Sequence, residues 1–153
     1  MQATPCALPP AWPARGTEMH HHPVRVYYED TDLAGIVYYA NYLKFIERGR
    51  SEWVRARGVD QVQIKADLGI VFAVRRVVAD YLSPARFDDQ LTVTTELRAL
   101  GGARIDLFQR VLRGDDLLFT AEVTLVCLGP EGRAARLPAG VRSRLEGDLP
   151  QNA

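Results

Sequence analysis

From residue 24 the hydrophobic positions change period several times. Val24-Arg25-Val26-Tyr27-Tyr28 alternates and is β-branched and aromatic, which predicts a strand. Glu29 to Val37 holds acids, a threonine and Gly35 and reads as a loop. From Tyr38 to about Arg57 the spacing becomes helical. Tyr42, Phe45, Ile46, Gly49 and Trp53 form one stripe, and Lys44, Glu47, Arg48, Arg50, Glu52 and Arg55 lie mostly on other faces. Gly58 suits a helix stop. Gly49 inside such a helix costs about 1 kcal/mol relative to alanine, so the sequence predicts close packing of a neighbour at that point.

The remainder reads mostly as strands. Gly69 to Leu82 is a β-branched run interrupted by Arg75 and Arg76, and a turn follows over Ser83–Asp89. Leu91, Val93, Thr95 and Leu97 alternate, as do Ile105, Leu107, Gln109 and Val111, with Gly101-Gly102 between them. Gly114-Asp115-Asp116 connects to Leu117–Leu128, where Leu117, Phe119, Ala121, Val123, Leu125 and Cys127 share a face. Turns between successive alternating runs imply an antiparallel meander. The expected architecture is α+β, a curved antiparallel sheet of about five strands around one long helix. A ferredoxin-like sandwich needs a second helix between the later strands, and no helical period lies between Leu91 and Leu128. Residues 1–22, rich in Pro, Ala and polar groups, read as a flexible tail. Residues 23–138 read as the domain, and residues 139–153 as a partly irregular C-terminal extension.

The 153 residues suit one domain. Nineteen basic residues balance nineteen acidic ones, which argues against a dedicated nucleic-acid binder. The two cysteines, Cys6 and Cys127, make neither a metal motif nor a disulfide framework, which fits a reducing cytoplasm. No apolar run reaches the roughly 18 residues of a membrane helix, and the first residues lack a signal peptide's basic and apolar regions. His20, His21 and His22 are the only histidines. Adjacent residues seldom point at one metal, so no metal site is expected. If these three belong to the tail, the domain has no histidine. Hydrolysis would then fall to carboxylates and backbone dipoles rather than to a Ser-His-Asp or Cys-His system.

The chemistry concentrates in Tyr28-Glu29-Asp30-Thr31-Asp32, just before the long helix. By residue type, these acids can be helix caps in a solvated loop. They can equally be half of an acyl-transfer site, a carboxylate supplying nucleophile or base beside a helix end whose free N–H groups form an oxyanion hole.

The letters at fixed spacing are Tyr28, Asp30, Asp32, Gly35, Val37, Tyr38, Asn41, Tyr42, Phe45, Glu47 and Arg50. This segment resembles the 4-hydroxybenzoyl-CoA thioesterase-like branch of the hot-dog superfamily, with its strongest likeness to bacterial acyl-CoA thioesterases associated with the Tol–Pal system. The likeness extends more loosely over about residues 23–130. It implies a hot-dog fold and hydrolysis of an acyl-CoA thioester, with Asp32 attacking the carbonyl or activating water. The backbone N–H of Tyr39 is the implied oxyanion donor. Asp30, Gly35, Val37 and Tyr38 are the implied substrate-binding set, Asp30 supporting the loop and the Tyr38 ring walling the pocket. Many such relatives carry histidine where this chain has Tyr39, a change that leaves a backbone donor in place. No cofactor is implied, since CoA is part of the substrate. Further expectations are a homo-oligomer (dimer or tetramer), an acyl carrier protein or phospholipid-synthesis enzymes as partners, and a cytoplasmic location that includes the inner-membrane periphery. Glu47 and Arg50, three apart on the helix, are expected to pair structurally. Arg75 and Arg76 suit CoA phosphates, a subunit interface or a solvated face. The rival readings are an enoyl-thioester hydratase, which wants an Asp-His arrangement, and a non-catalytic acyl-CoA or acyl-carrier-binding module tied to envelope assembly.

Overall fold

The alternating runs form one antiparallel sheet, in a computed structural model that describes residues 19–151. The strands are β1 (His20–Arg25), β2 (Val71–Tyr81), β3 (Gln90–Leu100), β4 (Arg104–Arg113) and β5 (Asp116–Leu128), in the spatial order β1-β3-β4-β5-β2. The expected sheet is therefore present, and β1 and β2 are its two edges. Ladder shifts at Val74/Arg76, Leu97/Ala99 and Val111/Leu112 bend it. Arg75, which interrupts an apolar run in the sequence, is the extra residue of the first of these bulges.

Helix α1 (Asn41–Ala56) lies across the inner face and packs on β1, β3 and β4. Its stripe of Tyr42, Phe45, Ile46, Gly49 and Trp53 is buried against Leu91, Val93, Leu107, Val111 and Phe119. The glycine expectation is met directly. A Cβ at Gly49 would lie 2.4 Å from Val93 Cγ1, so only glycine admits the strand this closely. Gln109, fully buried among these apolar groups, donates from Nε2 to the Ile46 carbonyl (2.8 Å) and to Thr95 Oγ1 (2.9 Å), tying helix to sheet.

Four boundaries differ from the sequence reading. β1 begins at His20, so the three histidines belong to the sheet rather than to a tail; residues 1–18 of the expected tail, with Cys6, lie outside the described residues. β1 ends at Arg25, because Tyr28–Asp30 turns into a short 3-10 segment. α1 starts at Asn41 rather than Tyr38. A further helix, α2 (Gln61–Leu68), precedes β2. It is capped by Asp60, whose side chain accepts from the Gln63 N–H (3.1 Å), and it ends at Gly69 with φ +67°. None of its residues is buried, so it carries no apolar stripe for periodicity to reveal.

The C-terminal segment is no mere extension. Helix α3 (Ala139–Leu145) buries Val141 and Leu145 in the main core. Asp148, just beyond it, accepts from Trp53 Nε1 and Arg57 Nε, both at 2.7 Å. Among the described residues no helix is long and apolar enough to cross a membrane.

Candidate active site

Asp32 sits at the base of a small hairpin. Thr31 bridges Val37, the Asp32 N–H donates to the Ile36 carbonyl (3.0 Å), and the Gly35 N–H donates to the Asp32 carbonyl (3.0 Å). Gly35 holds φ +78° with open space around it, so backbone conformation rather than crowding demands glycine there. The turn 85–89 clamps the far side of the hairpin. The Val37 N–H donates to the Ala85 carbonyl (2.8 Å), the Ala85 N–H donates to the Tyr42 hydroxyl (2.9 Å), and Ile36 bridges Arg86. That turn is itself held by Asp89 Oδ2, which accepts from the Arg86 N–H (2.9 Å) and Arg113 (2.8 Å). Burial pushes the Asp89 carboxyl up, but these donors outweigh it and the net pKa is below the ordinary value.

The two aspartates have different surroundings. Asp30 is 8% exposed and knits the loop together. Its Oδ2 accepts from the Tyr27 N–H (2.9 Å), and its carbonyl accepts from the Tyr38 N–H (2.9 Å) and the Asn41 side chain (2.8 Å). Asp32 is exposed. Its Oδ1 accepts from the Ala34 N–H (2.9 Å), while Oδ2 has no partner among the described residues. One oxygen is thus held and the other is available to a substrate.

The donors at the helix entrance divide in the same way. The Tyr38 N–H is spent on Asp30. The Tyr39 N–H, two residues ahead of α1 rather than inside it, donates to no acceptor among the described residues. Tyr39 is fixed instead through its carbonyl, which accepts from the Tyr81 hydroxyl (2.9 Å) at the end of β2. Tyr81 also packs edge-on to Tyr42 and Phe119, with ring centroids 5.5 and 5.0 Å apart. This anchor is a site feature that sequence spacing missed. Its signal was an aromatic residue at a strand end just before Pro84. Ile36, Val37, Tyr39, Tyr42, Tyr81 and Pro84 line an apolar cleft of ≈ 330 Å³ beside the loop.

The Tyr38, Tyr42 and Tyr81 phenols are neutral at ordinary pH. Tyr38 is raised, first by side-chain hydrogen bonding with Tyr39 and then by the nearby charges and burial, the Asp32 carboxylate among them. Tyr42 is raised by burial, and Tyr81 by burial and then by its tyrosine neighbours. Tyr38 is half-exposed and stands edge-on to the Tyr39 ring (4.9 Å).

Histidine is absent from this loop, but not for the reason the sequence suggested. His20 lies in β1 near Arg57 and Glu52, at the C-terminal end of α1. The 16-residue helix separates it from the Asp32 end by roughly 20 Å. Because neighbours in a strand face opposite ways, His20, His21 and His22 do not converge. Glu47 and Arg50 act on each other through their charges but share no hydrogen bond: Glu47 Oε1 accepts instead from the Ser51 hydroxyl (2.9 Å). Arg76 stands on the outer sheet face, away from the loop, opposite Thr124 of β5.

Residues 26–145 match the family model of the thioesterase-like superfamily. The chain is 41% identical over 115 residues to the acyl-CoA thioester hydrolase YbgC of Escherichia coli O6:H1, covering 74% of this chain and 85% of that protein. It is 42% identical over 106 residues to the acyl-CoA thioesterase YbgC of Haemophilus influenzae, covering 69% and 78%. Among solved structures, a probable thioesterase from Bartonella henselae superposes with TM-score 0.76 at 38% identity, over 79% of this chain and all of that one. With the hot-dog sheet and helix in place and the match spanning the loop, α1 and all strands from β2 to β5, this chain belongs to the thioesterase-like superfamily.

Proposed function

We propose that Asp32 and the Tyr39 backbone N–H are the reacting pair of this enzyme. The reaction is hydrolysis of an acyl-CoA thioester to the free acid and CoA. The observation that carries the assignment is the division within one loop: Asp30 and the Tyr38 N–H are consumed by structure, whereas Asp32 Oδ2 and the Tyr39 N–H are left unclaimed. Asp32 Oδ2 attacks the thioester carbonyl, and the Tyr39 N–H receives the oxyanion. The C–S bond breaks and CoA leaves as the thiolate. Water then cleaves the acyl-aspartyl anhydride, giving hydroxide to the acyl carbon and a proton to the thiolate, and the Asp32 carboxylate is restored. Asp32 serving as general base toward water uses the same geometry. Asp30, Gly35 and Val37 shape the loop, and Tyr38 with the apolar cleft walls the substrate. Only carboxylate and backbone groups are used, and CoA enters as substrate.

Thiol release from a panel of acyl-CoAs tests this reading. Asp32→Asn is expected to lower kcat by about 100-fold or more, while Asp30→Asn acts mainly on stability. Undiminished hydrolysis by Asp32→Asn would sink the assignment. Binding of acyl-CoA without hydrolysis by the wild type would instead favour the non-catalytic module.

The β2 edge, unpaired among the described residues and with Val74, Val77 and Val78 exposed, supports a homo-oligomer built edge to edge. The finer placement in the 4-hydroxybenzoyl-CoA thioesterase-like branch is supported by the Asp30-to-Tyr42 motif. A Tol–Pal association, an acyl carrier or phospholipid-synthesis partner, and a cytoplasmic site near the inner membrane are supported by resemblance to the YbgC proteins.

A further inference from the structure

A second cavity, of ≈ 150 Å³, opens between α1 and the first half of β2, well away from Asp32 in the single chain. Val54, Phe72 and Val74 give it apolar walls, and Glu47, Arg50 and Ser51 give it one polar end. Arg50 is the unusual member. It is substantially buried, and burial holds its pKa below the ordinary value although Glu47 opposes that shift. Glu47 Oε1 accepts from Ser51, and the Glu47 charge acts on Arg50 without a hydrogen bond between the two. The Arg50 nitrogens are not among the buried atoms that lack a partner, so the guanidinium reaches solvent and the cavity is open at this polar end in one chain.

The β2 edge indicates what completes it. Two copies joined by a two-fold axis through their β2 edges pair antiparallel, residue for residue about the axis. The exposed valines place that axis near the middle of the strand. For any centre from Arg76 to Val78, Tyr81 of one copy comes opposite a residue between Val71 and Arg75 of the other. Tyr81 is bonded to Tyr39 at the loop, and Phe72 and Val74 are walls of the second cavity. Pairing therefore brings the reacting loop of each copy to the Arg50 cavity of the other.

We propose that Arg50 is a specificity-determining residue acting across this pairing: it donates to the far end of the acyl group whose thioester lies at Asp32 of the other copy. The acyl class favoured is one with an apolar body and a terminal hydrogen-bond acceptor, such as a hydroxyl, because the walls are apolar and the polar end presents the Arg50 donors. A terminal carboxylate is disfavoured by Glu47 beside it. The inference rests on the Asp32 reading and on the edge pairing.

The experiment compares kcat/KM for hexanoyl-CoA and 6-hydroxyhexanoyl-CoA. The wild type is expected to prefer the hydroxylated substrate about tenfold, on the scale set by one well-placed polar contact. Arg50→Met should abolish or reverse the preference while retaining hydrolysis of hexanoyl-CoA, and Arg50→Lys, which keeps a donor, should retain part of it. An unchanged preference in both variants overturns the proposal. A hybrid of Asp32→Asn and Arg50→Met chains, co-expressed with different tags and purified through both, then separates the two geometries. If Arg50 acts across the pair, the one live site holds a wild-type Asp32 and a wild-type Arg50, and the hybrid shows the wild-type preference. If Arg50 acts within its own chain, the live site shows the Arg50→Met preference and the proposal fails. That failure leaves hydrolysis intact, whereas failure of the thioesterase reading removes hydrolysis of every acyl-CoA by the wild type.

Discussion

The two edges of the sheet are built differently. β1 is six residues long, carries Pro23, and lies under α1. Proline cannot donate to another strand, and short, helix-covered edges resist pairing. β2 is eleven residues long, holds no proline, and exposes Val74, Val77 and Val78. Because α1 leans toward the β1 side, the flank beside β2 retains a cavity rather than packed side chains. The loop chemistry is anchored to the open edge through Tyr81. On the proposed edge pairing, the contrast gives the closed edge to stability and the open one to assembly and substrate.

The largest expected effect comes from blocking β2. Of Val77→Pro and Val78→Pro, one removes an outward N–H without touching the β5 ladder. If copies pair through β2 as proposed, it should leave a single chain in analytical ultracentrifugation and lower thiol release at least about tenfold. A charge at His21 on the other edge should leave the sedimented mass unchanged. If both edges respond alike, the contrast is wrong.

Gly49→Ala tests the closed side. The added methyl meets Val93 Cγ1 within the helix–sheet contact. Overpacking of this kind costs about 1–3 kcal/mol, read as a lower urea midpoint with assembly retained in native buffer.

The smallest effect is a pH dependence at β1. Burial, followed by Arg57 and the adjacent histidines, lowers the His20 pKa below its ordinary value, against a smaller opposing effect of Glu52. The unfolded chain then takes up this proton more readily than the folded one. The stability contributed by neutral His20 is present above the unfolded pKa of about 6.5 and is lost as pH falls through the folded value. The urea midpoint should fall between pH 7.5 and pH 5, and less so in His20→Gln.

The helix α1, the meander β3–β5 and the Asp30–Tyr42 motif were legible from pattern because each repeats a period or a spacing. Gly49 was legible as a contact because glycine is otherwise unfavourable in a helix. α2 was not, since a helix with no buried face has no period, although Asp60 and Gly69 mark its ends. Tyr81 was not legible as a site anchor, because it lies 42 residues from Tyr39 along the chain. The histidines were misplaced because local composition does not show that β3 offers His20 a partner strand through Thr95.

By itself, the sequence determined the long helix and the meander, the face each buries, and the loop that holds the carboxylates, all of which follow from residue type and local spacing. The tertiary structure alone decided which oxygen and which N–H remain free. Hydrogen-bond satisfaction is settled by partners distant in sequence, as when Ala85 holds Val37 and Tyr81 holds Tyr39. It also decided which edge stays open. Whether a strand is covered depends on where a helix comes to rest against the sheet, and that is a property of packing rather than of period.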